Sequence, residues 1–411
     1  MSVPNRPDLN FSDTLDSLRG DQICVYEHGS ATAVPDLAHA TFLALQKPLD
    51  FPPLAAAIVP GDRVALAVDP NTPGVSEIIR GVLRALDETE ASAVEVVVSD
   101  EANDQTLAAI QHEIGERTRV IRHESSDRSS LRYLGADQDA DPVYLNRRLV
   151  DADLVLPIAT GRPLDADIPH DITGAFPFFA DSASRARQRR NSFASNHSKD
   201  ETLAHATQAC QWLGAQFMLC AIPNQLGRVG EVFAGTPDAI RKRLASAQPD
   251  DAEYPTAAPL LIASLDGGIQ QQTWANAARG FSAAARYAAP GGTIVLWTEM
   301  EDLPSGCLLE LGGEDPIDFD ARADDPIVAE DEFPAWDASN GIARVIQRVA
   351  ANHRLLIRSK LEDEVIESVG LAAIGNSAEL NRLISGVESC AVLPAAQFAG
   401  TTADLAEQRD E

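Results

Sequence analysis

Short apolar runs of strand length alternate with helical patterns along most of this chain, and this alternation constrains its fold more than any other feature. Residues 63–69 and 93–98 form two continuous apolar runs that are typical of buried strands. Between them, apolar side chains recur at helical spacing from residue 75 to residue 86. Strands and helices that alternate at this spacing form parallel βαβ units. The pattern therefore predicts an α/β fold with doubly wound, mainly parallel sheets.

The same alternation continues to the end of the chain. We predict further strands at residues 119–122, 153–158, 260–264, 293–297 and 354–357, and helices at residues 107–115, 145–150, 273–287, 342–351 and 365–369. A chain of 411 residues is too long for one ordinary core. The stretch 247–255 is polar and flanked by prolines, so we place the boundary there. The sequence thus predicts two Rossmann-like domains, residues 1–248 and 256–411, with a cleft between them.

Charge and cysteine usage exclude several functional classes. The formal net charge is −29, and this field would repel nucleic acid and anionic membranes, so we expect neither as a partner. The five cysteines are scattered and form no C-x-x-C pair, which argues against a disulfide framework or a structural zinc site. The polar N-terminus and the lack of a long apolar stretch predict a soluble cytoplasmic protein. No feature of the sequence indicates an oligomeric state.

Ligands of open parallel sheets bind at the carboxyl ends of the strands, which directs attention to four turns. These turns are residues 69–73, 99–104, 160–170 and 266–268, and a cleft would bring the first three to face the fourth. The second turn carries Asp100, Glu101 and Asp104, whose carboxylates could bind a hard cation or a basic group. The favoured alternative is a solvated acidic turn.

Five segments match, in order and spacing, those of a known family. They are residues 60–69, 142–155, 229–237, 289–295 and 353–357. On these segments the chain resembles the nickel-pincer lactate racemase family along nearly its whole length. The resemblance implies two α/β domains around an interdomain active site, and racemase or epimerase activity on a 2-hydroxy acid. It also implies a pyridinium mononucleotide cofactor that holds nickel and is tethered to a lysine.

Family motifs at the first two turns are only partly kept. After the first strand the family has Asp-x-Thr-Arg-Pro, with an arginine that helps to hold the substrate carboxylate. Here Asp69 and Pro73 remain, but Thr72 takes the position of the arginine. The resemblance makes Asp69 and Thr72 candidate substrate-binding residues, although Asp69 could equally serve only as a turn residue. After the second strand the family supplies a catalytic histidine, and the turn 99–104 contains none.

Two histidines align with the family's remaining chemistry. By the resemblance, His170 corresponds to the second catalytic histidine, an acid or base, and His197 to the nickel ligand. Either could instead be an ordinary hydrogen-bonded histidine. The tethering lysine would fall on Ala180 or Asp181, and no lysine occurs from residue 48 to 198. We therefore expect that a nickel-pincer cofactor, if one binds, carries no covalent lysine link.

Arginines supply the remaining candidate residues. Arg185 and Arg187 belong to the basic stretch 184–192. This stretch could bind a phosphate or carboxylate of a cofactor, or it could form a solvated helix face. Asn276 and Arg279 lie where the family places a lysine and a glutamine that face the cleft. The resemblance therefore predicts that they bind a substrate carboxylate.

Three functional hypotheses remain open. The first is a 2-hydroxy-acid racemase or epimerase with an altered active site. The second is a non-catalytic or rewired relative that binds a small acid, a nucleotide or a partner protein in the retained cleft. The third, for which there is no motif, is a hydrolase that uses Asp100, Glu101 and the histidines around a metal.

Overall fold

The computed structural model describes residues 23–26, 32–116, 118–137, 140–161, 172–193, 199–246, 257–313 and 339–399. Within this part of the chain the strands are β1 Ile23–Val25, β2 Arg63–Val68, β3 Ala93–Val98, β4 Arg119–Arg122, β5 Leu131–Ala136, β6 Pro142–Asn146, β7 Leu154–Thr160, β8 Met218–Pro223, β9 Val229–Gly235, β10 Ala258–Ser264, β11 Ala288–Trp297, β12 Arg354–Arg358, β13 Ala372–Ala373 and β14 Cys390–Leu393.

The helices connect these strands in the order that the alternation predicts. They are α1 Leu37–Gln46, α2 Leu54–Ala57, α3 Val75–Leu86, α4 Asp104–Ile114, α5 Arg147–Val150, α6 Ser182–Phe193, α7 Lys199–Trp212, α8 Pro237–Ser246, α9 Trp274–Ala285, α10 Ser339–Ala350, α11 Asp363–Glu367 and α12 Ser377–Ser385. Several begin at a side-chain cap. Asp36, Asn103, Thr273 and Asn376 each accept a hydrogen bond from the backbone N–H three residues later. Each such cap stabilises its helix by about 1 kcal/mol.

The first half of the chain forms a six-stranded sheet in the order β4-β3-β2-β7-β8-β9. Its pairs are parallel except β8–β9, which is antiparallel. One face packs against α1 and α3 through side chains such as Leu45 and Ile79. The other face is covered by the antiparallel hairpin β5–β6 and by a cluster that includes Phe176 and Phe179. Both faces are therefore buried, which explains the continuous apolar runs of its strands.

The second sheet has the order β1-β14-β10-β11-β12-β13, and all its pairs are parallel. Helices α9 and α10 cover one face, with Phe281 and Ile346 in the core, and α12 covers the other with Leu380. Strand β1 precedes the whole first sheet in sequence, yet it pairs with β14. The boundary near residue 250 stays a prediction, and β1 is a segment of the first half that lies in the second sheet.

The expected fold class, α/β with mainly parallel sheets, is confirmed. One expected element was partly wrong, the helix at residues 145–150. Leu145 and Asn146 complete β6, and the helix begins at Arg147 because the Asn146 side chain accepts a hydrogen bond from the N–H of Arg148.

Four of the five cysteines are buried and Cys24 is exposed. Residues 312–337 are strongly acidic, which predicts an exposed insertion, and all of them after residue 313 lie outside the described residues. Among the described residues, no helix is long and apolar enough to cross a membrane.

Candidate functional site

A groove of about 770 Å³ lies between the two halves, at the carboxyl ends of their strands. From the first half it is lined by Pro73 and Gly74, which follow β2, by residues 226–228, which connect β8 to β9, and by Val229, the first residue of β9. From the second half it is lined by Gly267, Gly268 and the short helical turn Ile269–Gln271. Of the three turns expected to face residues 266–268, the groove brings the first, at Pro73, opposite Gly267 and Gly268, and most of the 160–170 turn lies outside the described residues.

Beside this groove, polar side chains of the two halves meet in a hydrogen-bonded network. Glu101 Oε2 accepts hydrogen bonds from Asn71 Nδ2 at 2.7 Å and from Arg279 Nη2 at 3.4 Å. Arg279 Nη1 donates to Asn276 Oδ1 at 3.0 Å. Glu101 and Arg279 are each only 15% exposed. We call Asn71, Glu101, Asn276 and Arg279 the seam network, because it joins the turns after β2 and β3 to helix α9.

A second polar contact crosses the seam a short distance away. Asn103 Nδ2 lies 2.9 Å from both carboxylate oxygens of Asp302, and Trp274 Nε1 donates to the Asp302 carbonyl at 3.0 Å. Burial raises the pKa of Asp302, and the hydrogen bond from Asn103 opposes that rise. Asn103 also caps α4 through its Oδ1. The Asn103 side chain therefore both caps a helix of the first half and forms a hydrogen bond to Asp302 of the second half.

The neighbouring carboxylate, Asp100, is held by an arginine of the first half. The Arg185 side chain is 1% exposed, and its guanidinium contacts both oxygens of Asp100, with Nη2–Oδ1 at 2.9 Å. The same guanidinium donates to the carbonyls of Pro177 and Phe178. This geometry is the bidentate arrangement for which arginine is suited. The favoured prediction of a solvated acidic turn is therefore wrong for Asp100 and Glu101, which pair with arginines of the chain, whereas Asp104 is exposed.

His123 lies at the end of β4 next to this buried pair. Its Nε2 donates to the Ala180 carbonyl at 2.8 Å, and its Nδ1 accepts from Asn146 Nδ2 at 3.2 Å. Burial, assisted by the charge of Arg185, lowers the pKa of His123 to about 4. The imidazole is therefore neutral over the physiological range and, as a structural group, links the end of β4 to β6 and to the segment that precedes α6.

The lowered pKa of His123 predicts a specific loss of stability in acid. An unfolded histidine takes up a proton near pH 6.5, whereas folded His123 has a pKa of about 4 and does so only near that pH. The free energy of unfolding is therefore unaffected by this histidine above pH 6.5, and it falls as the pH drops from 6.5 to 4. The shift corresponds to about 3 kcal/mol of unfolding free energy lost by pH 4. We expect His123→Gln to show a shallower fall in denaturant unfolding between pH 7 and 4. His39→Gln, at an exposed site, should keep the slope of the unsubstituted protein.

The structure places three of the predicted substrate-binding residues in structural contacts. Thr72 is fully buried, and its hydroxyl is 3.0 Å from that of Thr160. Asn276 is fully buried, and its Nδ2 donates to the Gln271 carbonyl at 2.9 Å. Asp69 Oδ1 accepts from the Asn71 N–H, the alternative turn role that its sequence context allowed. Arg279 alone among the four predicted substrate-binding residues bridges both halves.

The predicted cofactor-binding arginines are also engaged within the protein. Arg185 holds Asp100, and Arg187 donates to the Pro142 carbonyl at 2.7 Å while lying 3.6 Å from Asp141. Their contacts tie α6 to the turn after β3 and to the hairpin. The candidate acid or base His170 and the candidate nickel ligand His197 lie outside the described residues.

The position of the family's tethering lysine is occupied by residues that offer no amine. Ala180 is fully buried and pairs with Leu145 in an isolated bridge. The Asp181 carboxylate accepts from the N–H groups of Ala183 and Ser184 at the start of α6. A lysine-tethered cofactor therefore does not fit this segment. In the part of the chain that the structure describes, no cluster of three or more histidine, cysteine or acidic side chains could hold a metal ion.

Sequence reasoning missed two contributors to the site. Asn71 was not singled out, although it lies in the first predicted turn, and the 226–228 turn was not predicted to reach the second half. A Cβ placed on Gly227 would lie 2.8 Å from the backbone of Asp266, so the two halves touch there. The only available signal was Asn224-Gln-Leu-Gly227, a turn composition that by itself names no partner.

Comparison with known proteins agrees with this architecture. Residues 15–162 match the family model described as the lactate racemase N-terminal domain. The lactate racemase apoprotein from Thermoanaerobacterium thermosaccharolyticum is similar in structure, with a TM-score of 0.68 and 13% identity over 89% of this chain and 93% of that one. A protein from Thermotoga maritima has a TM-score of 0.61 and 12% identity, over 91% and 99% of the two chains. No curated protein matches the sequence.

Proposed function

We propose that this chain, which belongs to the lactate racemase family, binds a small carboxylic acid in the cleft between its halves without a lysine-tethered nickel cofactor. The observation that carries the proposal is the position of Arg279. This arginine comes from the second half and meets a carboxylate, that of Glu101, which comes from the first. The seam beside the groove therefore has the cationic group that an acid requires, at a place where a carboxylate is accommodated, and Asn276 links this group to Gln271 of the groove lining.

Residues of this chain also argue against the standard racemase chemistry. Ala180 and Asp181 provide no amine for a covalent link, and Thr72 provides no charge where the family has an arginine. The turn after β3 offers Asp100 and Glu101, both paired with arginines, instead of a histidine. Of these missing groups only the arginine serves to bind an acid, and Arg279 offers a positive charge in its place.

A racemase or epimerase that acts on a 2-hydroxy acid is the second candidate function. It is favoured by the similarity of fold to a lactate racemase apoprotein over 89% of the chain. In that case His170 would serve as acid or base, and His197 would bind nickel carried by a cofactor that is held without a covalent bond. The hydrolase hypothesis is weakened, because Asp100 and Glu101 are committed to Arg185 and Arg279.

We predict that the protein will carry no covalent adduct after co-expression with the enzymes that make the nickel-pincer cofactor. Lysine is absent from the segment that would form the tether, so the intact mass should equal that of the unmodified 411-residue chain. A lactate racemase prepared in the same host serves as the positive control. A cofactor-sized increment mapped to any lysine of this chain would contradict the proposal.

The two candidate functions separate in a pair of measurements on the same preparation. Acid binding without turnover predicts saturable calorimetric binding of lactate and no interconversion of its enantiomers. The racemase candidate predicts interconversion that depends on nickel and is lost in His197→Ala. Interconversion that persists in His197→Ala would remove this histidine from the metal site.

A further inference from the structure

Glu101 occupies the place in the seam network that a ligand carboxylate would take. Its Oε2 accepts from Asn71 Nδ2 at 2.7 Å and from Arg279 Nη2 at 3.4 Å. The longer distance exceeds the roughly 2.7–2.9 Å of a strong charge-assisted hydrogen bond. The arginine is therefore paired with Glu101 through one long contact rather than through the bidentate geometry that Arg185 makes with Asp100.

The Arg279 side chain has support that does not depend on Glu101. Its Nη1 donates to Asn276 Oδ1 at 3.0 Å, and Asn276 is fixed in turn by Gln271. Thr273 caps helix α9 directly before these residues, with its Oγ1 accepting from the Asn276 N–H. The guanidinium would thus stay at the seam, beside the groove that Gln271 lines, if the glutamate moved away.

Asn71 is held in the same manner from the first half. Its N–H donates to Asp69 Oδ1 at 2.9 Å, and the residue is only 2% exposed. Its Nδ2 points to the oxygen that Arg279 also contacts, so an amide donor and a cation converge on one carboxylate. Convergent donors of this kind form a carboxylate site.

We propose that Asn71 and Arg279 form an anion subsite of the cleft, and that Glu101 fills this subsite until the carboxylate of an acidic ligand displaces it. The inference rests on the proposed function, because it names the internal group that a bound acid replaces. A free ligand can align both oxygens with the guanidinium, whereas Glu101 is constrained by its own turn. The Asn103–Asp302 contact still joins the halves after the exchange.

Removing the charge of Glu101 should strengthen ligand binding. Glu101→Gln keeps an acceptor for Asn71 but no longer competes for Arg279. A larger fraction of the protein is then ready to bind the ligand, so the dissociation constants of lactate and malonate should fall about tenfold. Isothermal titration calorimetry of the full chain measures both acids. Glu88→Gln, which removes an equal charge at an exposed position of the first half, should leave the constants unchanged.

Arg279 variants test the cationic side of the subsite. Arg279→Gln should abolish binding of both acids, whether or not Glu101→Gln is also present. Arg279→Lys should retain weak binding, because lysine keeps the positive charge but not the planar guanidinium. The lysine variant keeps the test valid if the glutamine variant does not fold.

The outcomes distinguish the subsite from the proposed function. If the acids bind to the unsubstituted protein and Glu101→Gln binds them no more tightly, displacement of Glu101 is wrong and acid binding in the cleft stands. If the acids bind equally well to Arg279→Lys and to the unsubstituted protein, the subsite is not centred on Arg279. If neither the unsubstituted protein nor Glu101→Gln binds either acid, the proposed function falls together with the inference.

Discussion

Replacing Arg185 with methionine should lower the free energy of unfolding by about 3–5 kcal/mol, the range typical when one partner of a buried ion pair is removed. Arg185 is 1% exposed, and no water can replace its contacts with Asp100 and with the carbonyls of Pro177 and Phe178 without entering the core. The substitution removes the guanidinium from the Asp100 carboxylate and from the carbonyls of Pro177 and Phe178, and of these the Pro177 carbonyl still accepts from the Ala180 N–H. Denaturant unfolding followed by circular dichroism measures the loss.

Arg187→Met is the matched control for this variant. Arg187 lies on the same helix, and its contacts with Asp137 and Asp141 are 3.8 and 3.6 Å long. Removing these contacts and one hydrogen bond to the Pro142 carbonyl should cost about 1 kcal/mol. Equal losses of unfolding free energy in the two variants would show that the burial of Arg185 does not increase its contribution to stability.

A second substitution separates charge from packing at the same position. Asp100→Asn in the Arg185→Met background removes the stranded charge, so the double variant should recover part of the lost stability. The recovery should be incomplete, because the carbonyls of Pro177 and Phe178 still lack the donors that Arg185 supplied. If the double variant is less stable than Arg185→Met, the unpaired charge of Asp100 is not a cause of the loss.

Gly227→Ala should have the second large effect, since this glycine touches the other half of the protein. Its φ is +67°, which already favours glycine, and an added Cβ would lie 2.8 Å from the carbonyl carbon and Cβ of Asp266. Asp266 cannot easily yield, because its Oδ2 accepts from the N–H of Ala395 and its carbonyl accepts from Gln397 Nε2. The halves must therefore separate locally, or the turn must distort.

Gly214→Ala provides the control for backbone strain alone. Gly214 has a similar φ of +76°, and nothing lies within 4 Å of its added Cβ. We expect it to cost about 1 kcal/mol for the left-handed conformation, and Gly227→Ala to cost a further ~1–3 kcal/mol for overpacking. Small-angle scattering should also show a larger radius of gyration for Gly227→Ala. Equal unfolding energies for the two variants would disprove a close contact between the halves at this turn.

Most secondary structure followed directly from the order of residues. The strands at residues 93–98 and 119–122 were predicted with the bounds that the structure shows, since both are bounded by polar or glycine-containing turns. The hairpin Leu131–Ala136 and Pro142–Asn146 was not predicted, because its strands are half-exposed and mix polar with apolar residues. Strand Ile23–Val25 was missed because three residues carry no periodicity.

Some of the contacts at the seam could be anticipated from the sequence, and the binding roles of these residues stay predictions. The turns after the strands were correctly identified, because the carboxyl ends of parallel strands converge wherever such a sheet forms. Arg279 and Glu101 were each singled out, but their pairing could not be predicted, since 178 residues separate them. For the same reason, the pairing of Asp100 with Arg185 could not be distinguished from a solvated acidic turn.

The sequence by itself determined the α/β alternation, the positions of the turns at the carboxyl ends of the strands and the lack of a lysine where the family's tether would form. These properties are local, because they depend on periodicity, turn composition and the side chain present at a position. Only the tertiary structure decided that Arg185 and Arg279 neutralise the acidic turn, and that Thr72 and Asn276 are buried. Such pairings depend on which distant segments meet, and two opposite charges stabilise each other strongly only where packing has excluded water.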